Sequence, residues 1–304
     1  MKDRLLYILA MGVIKGIQAL PLPLVGRIGR ALGGMAYRLD ARHRRVAISN
    51  LTAAFGSEWD SDKIHSVARE HFRRLGENYC GAIKTAAMSD DQIKPHLEVT
   101  GLERLEGAAP SGQSRMFAIG HFGNFEIYAR GKYLVPGYQM VTTFRALKQK
   151  SLNKILIALR KRSGVAMLDR KREADALRKM VRSQPVVLGL LSDQHAGRGG
   201  AWIPFFGRPC STTKSTALYA LRFKLPLLAA ICYRTSLVHW RIEVSPVIPT
   251  FDNGRPRSPE DIMTDVNKVF EEAVRRDPAN WFWVHQRWKP FKPPKRNRPA
   301  PAPR

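Results

Sequence analysis

Acidic residues are scarce in this chain: 25 Asp and Glu stand against 51 Lys and Arg, leaving a formal charge of +26 over 304 residues. Such a field favours a polyanionic partner, whether nucleic acid, an anionic membrane face or an acidic carrier protein. Cysteine is scarcer still. Cys80, Cys210 and Cys232 are odd in number, widely spaced and never Cys-x-x-Cys, which argues against a disulfide framework or a thiolate zinc site and for a reducing compartment. No Gly-x-Ser-x-Gly occurs, so the usual α/β-hydrolase nucleophile is excluded. Gly197-Arg198-Gly199-Gly200 lacks the Lys-Ser/Thr of a phosphate loop and reads as a flexible loop. The apolar content of 44% is ordinary for a globular protein, and the length suffices for one substantial core or two small ones.

Long apolar runs are also missing. Leu5 to Ile14 is apolar apart from Tyr7 and Gly12, but Lys15 would sit near the middle of the roughly 20 residues that a spanning helix needs. Ala19-Leu20-Pro21 is a poor cleavage site for a signal peptide. On a helical wheel Arg4, Met11, Lys15 and Gln18 form one narrow stripe, which suits a helix lying in the membrane interface or a marginal single span. Val25 to Leu39 follows with Arg27, Arg30 and Arg38, and then Arg42, Arg44 and Arg45; basic residues after an apolar segment favour the cytoplasmic face. The alternative is a buried pair of core helices.

What the chain does have is alternation. Strand-length apolar runs at Met116–Gly120, Gln139–Phe144, Val165–Leu168, Val186–Leu191, Leu227–Tyr233 and His239–Val247 are separated by helical stretches at Ser151–Ser163, Glu173–Ser183 and Thr212–Phe223. This pattern predicts an α/β domain with a mainly parallel or mixed sheet flanked by helices. Ser258-Pro259-Glu260-Asp261 carries a serine cap, a proline at the first helical position and acidic residues in the first turn, and so predicts a helix start. The tail from Lys292, built only of Lys, Arg, Asn, Pro and Ala, is expected to be disordered.

Ligands in such sheets bind beyond the carboxyl ends of strands. There the run from Met116 stops at Gly120 and delivers His121, Gly123 and Asn124 allow a sharp turn, and Glu126 lies five residues past the histidine. A neutral imidazole at a strand end, backed by a carboxylate, is equipped to take a proton from an alcohol. The same spacing recurs at His65 and Glu70, within a continuous helical pattern of Ile64, Ala68, Phe72, Leu75 and Tyr79. Five residues turn a helix by about 500°, which leaves those two side chains roughly 140° apart and unable to meet.

His121-Phe122-Gly123-Asn124-Phe125-Glu126 resembles the signature of the bacterial lipid A late acyltransferases, within the wider lysophospholipid acyltransferase superfamily and its His-x4-Asp/Glu motif. The resemblance continues at Thr143-Phe144-Arg145, Met167-Leu168-Asp169-Arg170, Ser192-Asp193-Gln194 and Pro204-Phe205-Phe206-Gly207-Arg208-Pro209, and ends at Trp281 to Lys289. Asn50-Leu51 and Phe55 fit as well, so the match runs in order from about Arg45 to Lys289.

The resemblance implies transfer of a fatty acyl chain from an acyl-carrier-protein thioester to a hydroxyl of a lipid A precursor, without cofactor or metal. Acyl-CoA as donor, or another glycolipid or phospholipid as acceptor, is the alternative. His121 is expected as general base and Glu126 as its supporting carboxylate; Gly123, Asn124, Arg145, Arg170, Asp193 and Gln194 are expected to contact substrate or shape the site. Aromatics at Phe205, Phe206, Trp281, Trp283 and Trp288 read either as core or as an acyl groove, and His285 as a packed, hydrogen-bonded histidine. Lys148, Lys150, Lys154, Arg160, Lys161 and Arg162, offset by no nearby acid in sequence, form a candidate recruiting face. The implied organisation is a membrane-associating helical segment over 1–45, a catalytic domain over 46–290 and a basic tail over 291–304, on the cytoplasmic face of the inner membrane. A nucleic-acid partner is not expected, because the tryptophans lie far from the basic helix and no reading module is visible.

Overall fold

The alternation of apolar runs and amphipathic stretches becomes, in the computed structural model, one seven-stranded sheet with helices packed against it. The structure describes residues 2–108, 112–130, 135–144, 149–161, 163–169 and 173–290. Four helices come first: α1 (Lys2–Ala19), α2 (Leu22–Leu39), α3 (Ala41–Phe55) and α4 (Ser61–Thr85). After the short α5 (Asp90–Ile93) come β1 (Leu97–Thr100), α6 (Glu103–Ala108), β2 (Arg115–Ile119) and β3 (Gln139–Phe144). The chain continues through α7 (Lys150–Lys161), β4 (Ala166–Asp169), α8 (Glu173–Ser183) and β5 (Val186–Leu191). A hairpin of β6 (Ala201–Phe205) and β7 (Arg208–Thr212) precedes α9 (Ser215–Phe223), β8 (Leu227–Ser236), β9 (His239–Val244) and α10 (Pro259–Arg276).

The sheet order is β1-β9-β8-β2-β5-β3-β4. Strands β8, β2, β5, β3 and β4 run parallel, and β9 turns back antiparallel to β8. The expected mixed α/β sheet is therefore present. Alternate residues of the buried central strand β2 feed two separate cores. Met116 and Ala118 join Leu51, Phe72, Val266 and Phe270 on one face, while Phe117 and Ile119 join Leu105, Val187 and Trp240 on the other. Ser258 caps α10 as its sequence suggests, its Oγ accepting from Asp261 N at 3.1 Å. One expected helix, Thr212–Phe223, starts late: Thr212 still belongs to β7, paired with Ala201, and the helix begins at Ser215. The hairpin turns on Phe206 and Gly207, both at positive φ (51° and 66°), the conformation that matches the twist of a two-residue connection.

The glycines of α2 have a packing reason. A Cβ on Gly33 would lie 2.0 Å from Phe72 O, and one on Gly29 2.5 Å from Gly76 O, so α2 and α4 touch backbone to backbone. Beside this seam the buried Glu77 carboxylate accepts from Arg30, Arg234 and Val238 N. Within the N-terminal pair, α2 is thus buried on its glycine side, as a core reading requires. Its other side is not: Leu24, Ile28, Leu32, Met35 and Leu39 of α2, and Leu5, Ile8, Leu9 and Val13 of α1, are exposed. Among the described residues no helix is long and apolar enough to cross a membrane, so a spanning N-terminus is not supported.

Candidate active site

Strand register builds the centre of the site. Ile119, the last residue of β2, is paired with Leu191, the last of β5, and Ser192 N donates to Ile119 O at 2.9 Å. His121 and Asp193 each stand two residues beyond these paired ends and meet there. His121 Nδ1 lies 2.8 Å from Asp193 Oδ1, and His121 N donates to Asp193 Oδ2 at 2.8 Å. Trp281 Nε1 donates to the same Oδ2 at 2.8 Å, so Asp193, 1% exposed, receives three hydrogen bonds. Burial alone would raise the Asp193 carboxyl; the facing imidazole and these bonds outweigh it and hold the group down to about 2. An ionised carboxylate at Nδ1 fixes the proton there and leaves Nε2 with its lone pair free. The Gln194 side-chain amide approaches that nitrogen at 3.4 Å, and the Phe125 and Phe282 rings flank the imidazole at 4.8 and 5.5 Å.

Glu126 is placed otherwise than its spacing suggests. After Gly123, at φ +50° with no room for a Cβ against Cys232 O, residues Phe125–Arg130 wind as a 3₁₀ helix. Gly123 N donates to Asn280 O at 3.0 Å, which ties the turn to the segment carrying Trp281. In this winding the Glu126 carboxylate is gripped by Arg160 of α7, which donates from Nε at 2.8 Å and from Nη2. The group held against the imidazole is therefore Asp193, and Glu126 forms a second charged unit beside it. This also corrects the reading of α7 as a face offset by no acid, because Arg160 is neutralised; Lys148 and Arg162 lie outside the described residues. Arg145 and Arg170 do as well. The decoy behaves as its helix geometry requires: His65 bonds back to Ser61 O at 2.7 Å, while Glu70 takes Arg30 and Arg74.

An apolar cavity of about 130 Å³ begins beside Phe125 and Glu126 and runs under the sheet face that carries Phe117, Ile119, Val187 and Leu191. That volume is close to the roughly 150 Å³ of an engineered cavity that holds a benzene-sized molecule. The aromatic cluster read as core or groove is core: Phe205, Trp281 and Trp283 are buried, with Trp281 and Trp283 edge to face at 4.7 Å. A smaller chamber lies beside the imidazole, with His71, Asn78, Asn124 and Asn280 among its walls. Asn124 sits in its wall, 1% exposed.

Two supports lie in matched segments to which the sequence assigned no role. Arg287, fully buried, donates to Gln194 O, Ser211 O and Thr212 Oγ1 and stacks over the Phe205 ring, locking the loop after Asp193 to the β6–β7 hairpin. Asn50 of α3 donates to Trp283 O at 2.7 Å and His285 O at 2.6 Å, holding the tryptophan segment in place. His285 is indeed a packed histidine: its Nε2 accepts from His195 N at 2.8 Å, and burial first of all lowers its ring to about 4. The sequence placed Asp193 at a strand end, but its pairing with His121 comes from the register of β2 on β5.

The family model for bacterial lipid A biosynthesis acyltransferases matches residues 2–290. The chain is similar to the lipid A biosynthesis palmitoleoyltransferase of Escherichia coli (strain K12), 24% identical, with 92% of this chain and 89% of that protein covered. It is also similar to the lipid A biosynthesis lauroyltransferase of the same organism, 24% identical over 92% of this chain and 90% of the relative. A lipid A biosynthesis acyltransferase of Haemophilus influenzae (strain ATCC 51907 / DSM 11121 / KW20 / Rd) is 24% identical over 93% and 90% of the two chains. The chain thus belongs to the bacterial lipid A biosynthesis acyltransferase family and is an acyltransferase.

Proposed function

We propose that this protein moves a fatty acyl chain from an acyl-carrier-protein thioester to a hydroxyl of a lipid A precursor at the cytoplasmic face of the inner membrane. The observation that carries the reading is the His121–Asp193 pair, whose imidazole packs on Phe125, a wall residue of the apolar cavity. His121 Nε2 removes the proton as the acceptor oxygen attacks the thioester carbonyl, and Asp193 stabilises the imidazolium through Nδ1. Collapse of the tetrahedral species breaks the carbon–sulfur bond, and the imidazolium returns its proton to the departing thiolate. The reaction needs neither metal nor cofactor.

Glu126 enters through Arg160: the paired carboxylate fixes a guanidinium at the cavity mouth, where negative charge grows on the carbonyl oxygen. Gln194 and Asn124 are the neutral polar groups nearest the ring and the turn. The exposed apolar stripes of α1 and α2, flanked by arginines, support a helix pair lying in the membrane interface. The test is mass spectrometry of lipid A from cells with and without the gene, followed by assay of the purified protein with acyl-carrier-protein and acyl-CoA donors. An unchanged acyl count on lipid A removes this acceptor, and equal use of both donors removes the carrier-protein preference.

A further inference from the structure

A second concave site lies on the other flank of the tryptophan segment. Helix α3, the tip of the β6–β7 hairpin and residues 286–290 enclose an open groove of about 530 Å³. Its cations are Arg42 and Arg45 from α3, Arg208 from the hairpin and Lys289 from the C-terminal segment, all four exposed. No carboxylate lines it, and among the described residues none of the four has an acidic partner. Ser49 and Gln286 add neutral hydrogen-bonding groups, and Trp288 an apolar wall.

Arg42 lies in the first turn of α3, whose N-cap Asp40 accepts from His43 N at 3.0 Å and pairs with the His43 ring. The groove also has a definite neighbour along the chain. Leu39, 76% exposed, ends the apolar stripe of α2 three residues before Arg42, so cations follow an apolar face at once, as acyl region gives way to headgroups in a bilayer.

We infer that this groove binds the phosphate-bearing headgroup of an anionic membrane lipid, separately from the substrates at His121. The concavity suits a phosphate with its attached glycerol or sugar, with guanidinium groups pairing the phosphate oxygens. The inference rests on the interfacial reading of α1 and α2 made above.

The test uses the full chain and sedimentation with vesicles of phosphatidylcholine, alone or mixed with phosphatidylglycerol. The wild type should favour the anionic vesicles by about tenfold or more. Replacing Arg42, Arg45, Arg208 and Lys289 by Ser should abolish that preference while leaving binding to phosphatidylcholine unchanged. The pairs Arg42→Ser/Arg45→Ser and Arg208→Ser/Lys289→Ser should each remove part of it, so the outcome does not hang on one variant. A control of equal charge, with Lys179, Arg182, Arg198 and Arg255 changed to Ser, should keep the preference. Equal loss in the control would assign the effect to the overall field and overturn the groove, as would a preference that survives in the groove variant. Protection of the wild type from heat by glycerol 3-phosphate without any vesicle preference would make the ligand a soluble phosphate and overturn the lipid assignment. Loss of acyl-carrier-protein binding in the groove variant, with vesicle preference intact, would overturn it in favour of a protein partner. Failure of every form to bind phosphatidylcholine would instead refute the interfacial helix pair.

Discussion

His121 and Asp193, 72 residues apart in sequence, stand at the same offset beyond two hydrogen-bonded strand ends, and that offset makes them partners. A pair set by sheet register is held by the core of the fold, with Trp281 as a third point of attachment.

Replacing His121 by Ala should cut turnover by about 10² to 10⁴, with little change in the Michaelis constant, because the ring acts in the transition state. Steady-state kinetics of acyl transfer on the purified protein measure this. Near wild-type turnover would remove the imidazole from the mechanism. His65→Ala should leave the chemical step unchanged, since that ring is occupied on its own helix.

Asp193→Asn keeps the shape of the site and removes the charge at Nδ1. Its loss should approach that of His121→Ala, and the double variant should be little worse than His121→Ala alone, since Asp193 works through the ring. Multiplying defects in the double variant would show that the two act independently.

Glu126→Gln and Arg160→Gln should depress turnover to similar degrees, with the double variant no worse than either, if the pair acts as one unit. A Glu126 defect much deeper than that of Arg160 would give the carboxylate a role of its own.

Acid stability should report the buried carboxylate. The ordinary value of an aspartate is about 4, and Asp193 is held down to about 2 in the fold. A depressed carboxyl contributes stability above its unfolded value and loses it as pH falls through the folded one. Urea midpoints should therefore fall between about pH 4 and pH 2, and Asp193→Asn should flatten that slope. An identical slope in the variant would place the acid sensitivity elsewhere.

The strand ends were legible because apolar runs that stop at Gly120 and Ser192 need no knowledge of neighbours. The partner of His121 was not, since register between β2 and β5 is decided by cores far apart in sequence. Glu126 looked right by spacing, and only the 3₁₀ winding of Phe125–Arg130 turns it toward Arg160. Likewise, Ser258 announced α10 through local capping chemistry, whereas the β6–β7 hairpin depends on Phe206 taking a positive φ that phenylalanine rarely signals. Arg287 lay in the matched run Trp281 to Lys289 without a role of its own until burial gave it one.

Arg287→Met should lower stability by roughly 2–3 kcal/mol, because Gln194 O, Ser211 O and Thr212 Oγ1 lose a shared donor in a dry interior. Thermal unfolding of the variant tests this; a melting temperature within a degree or so of wild type would show that water replaces the guanidinium.

The glycine seam between α2 and α4 leaves no slack between the exposed apolar face and the sheet. An enzyme hung from a flexible tether samples many heights above a surface and can fetch its acceptor. On the proposed interfacial reading of α1 and α2, Gly29, Gly33 and the Glu77 ion cluster join the two parts, so His121 is carried at one fixed height and tilt. An acceptor hydroxyl must then be presented at that level, and reach becomes a ruler that selects substrates before any pocket does.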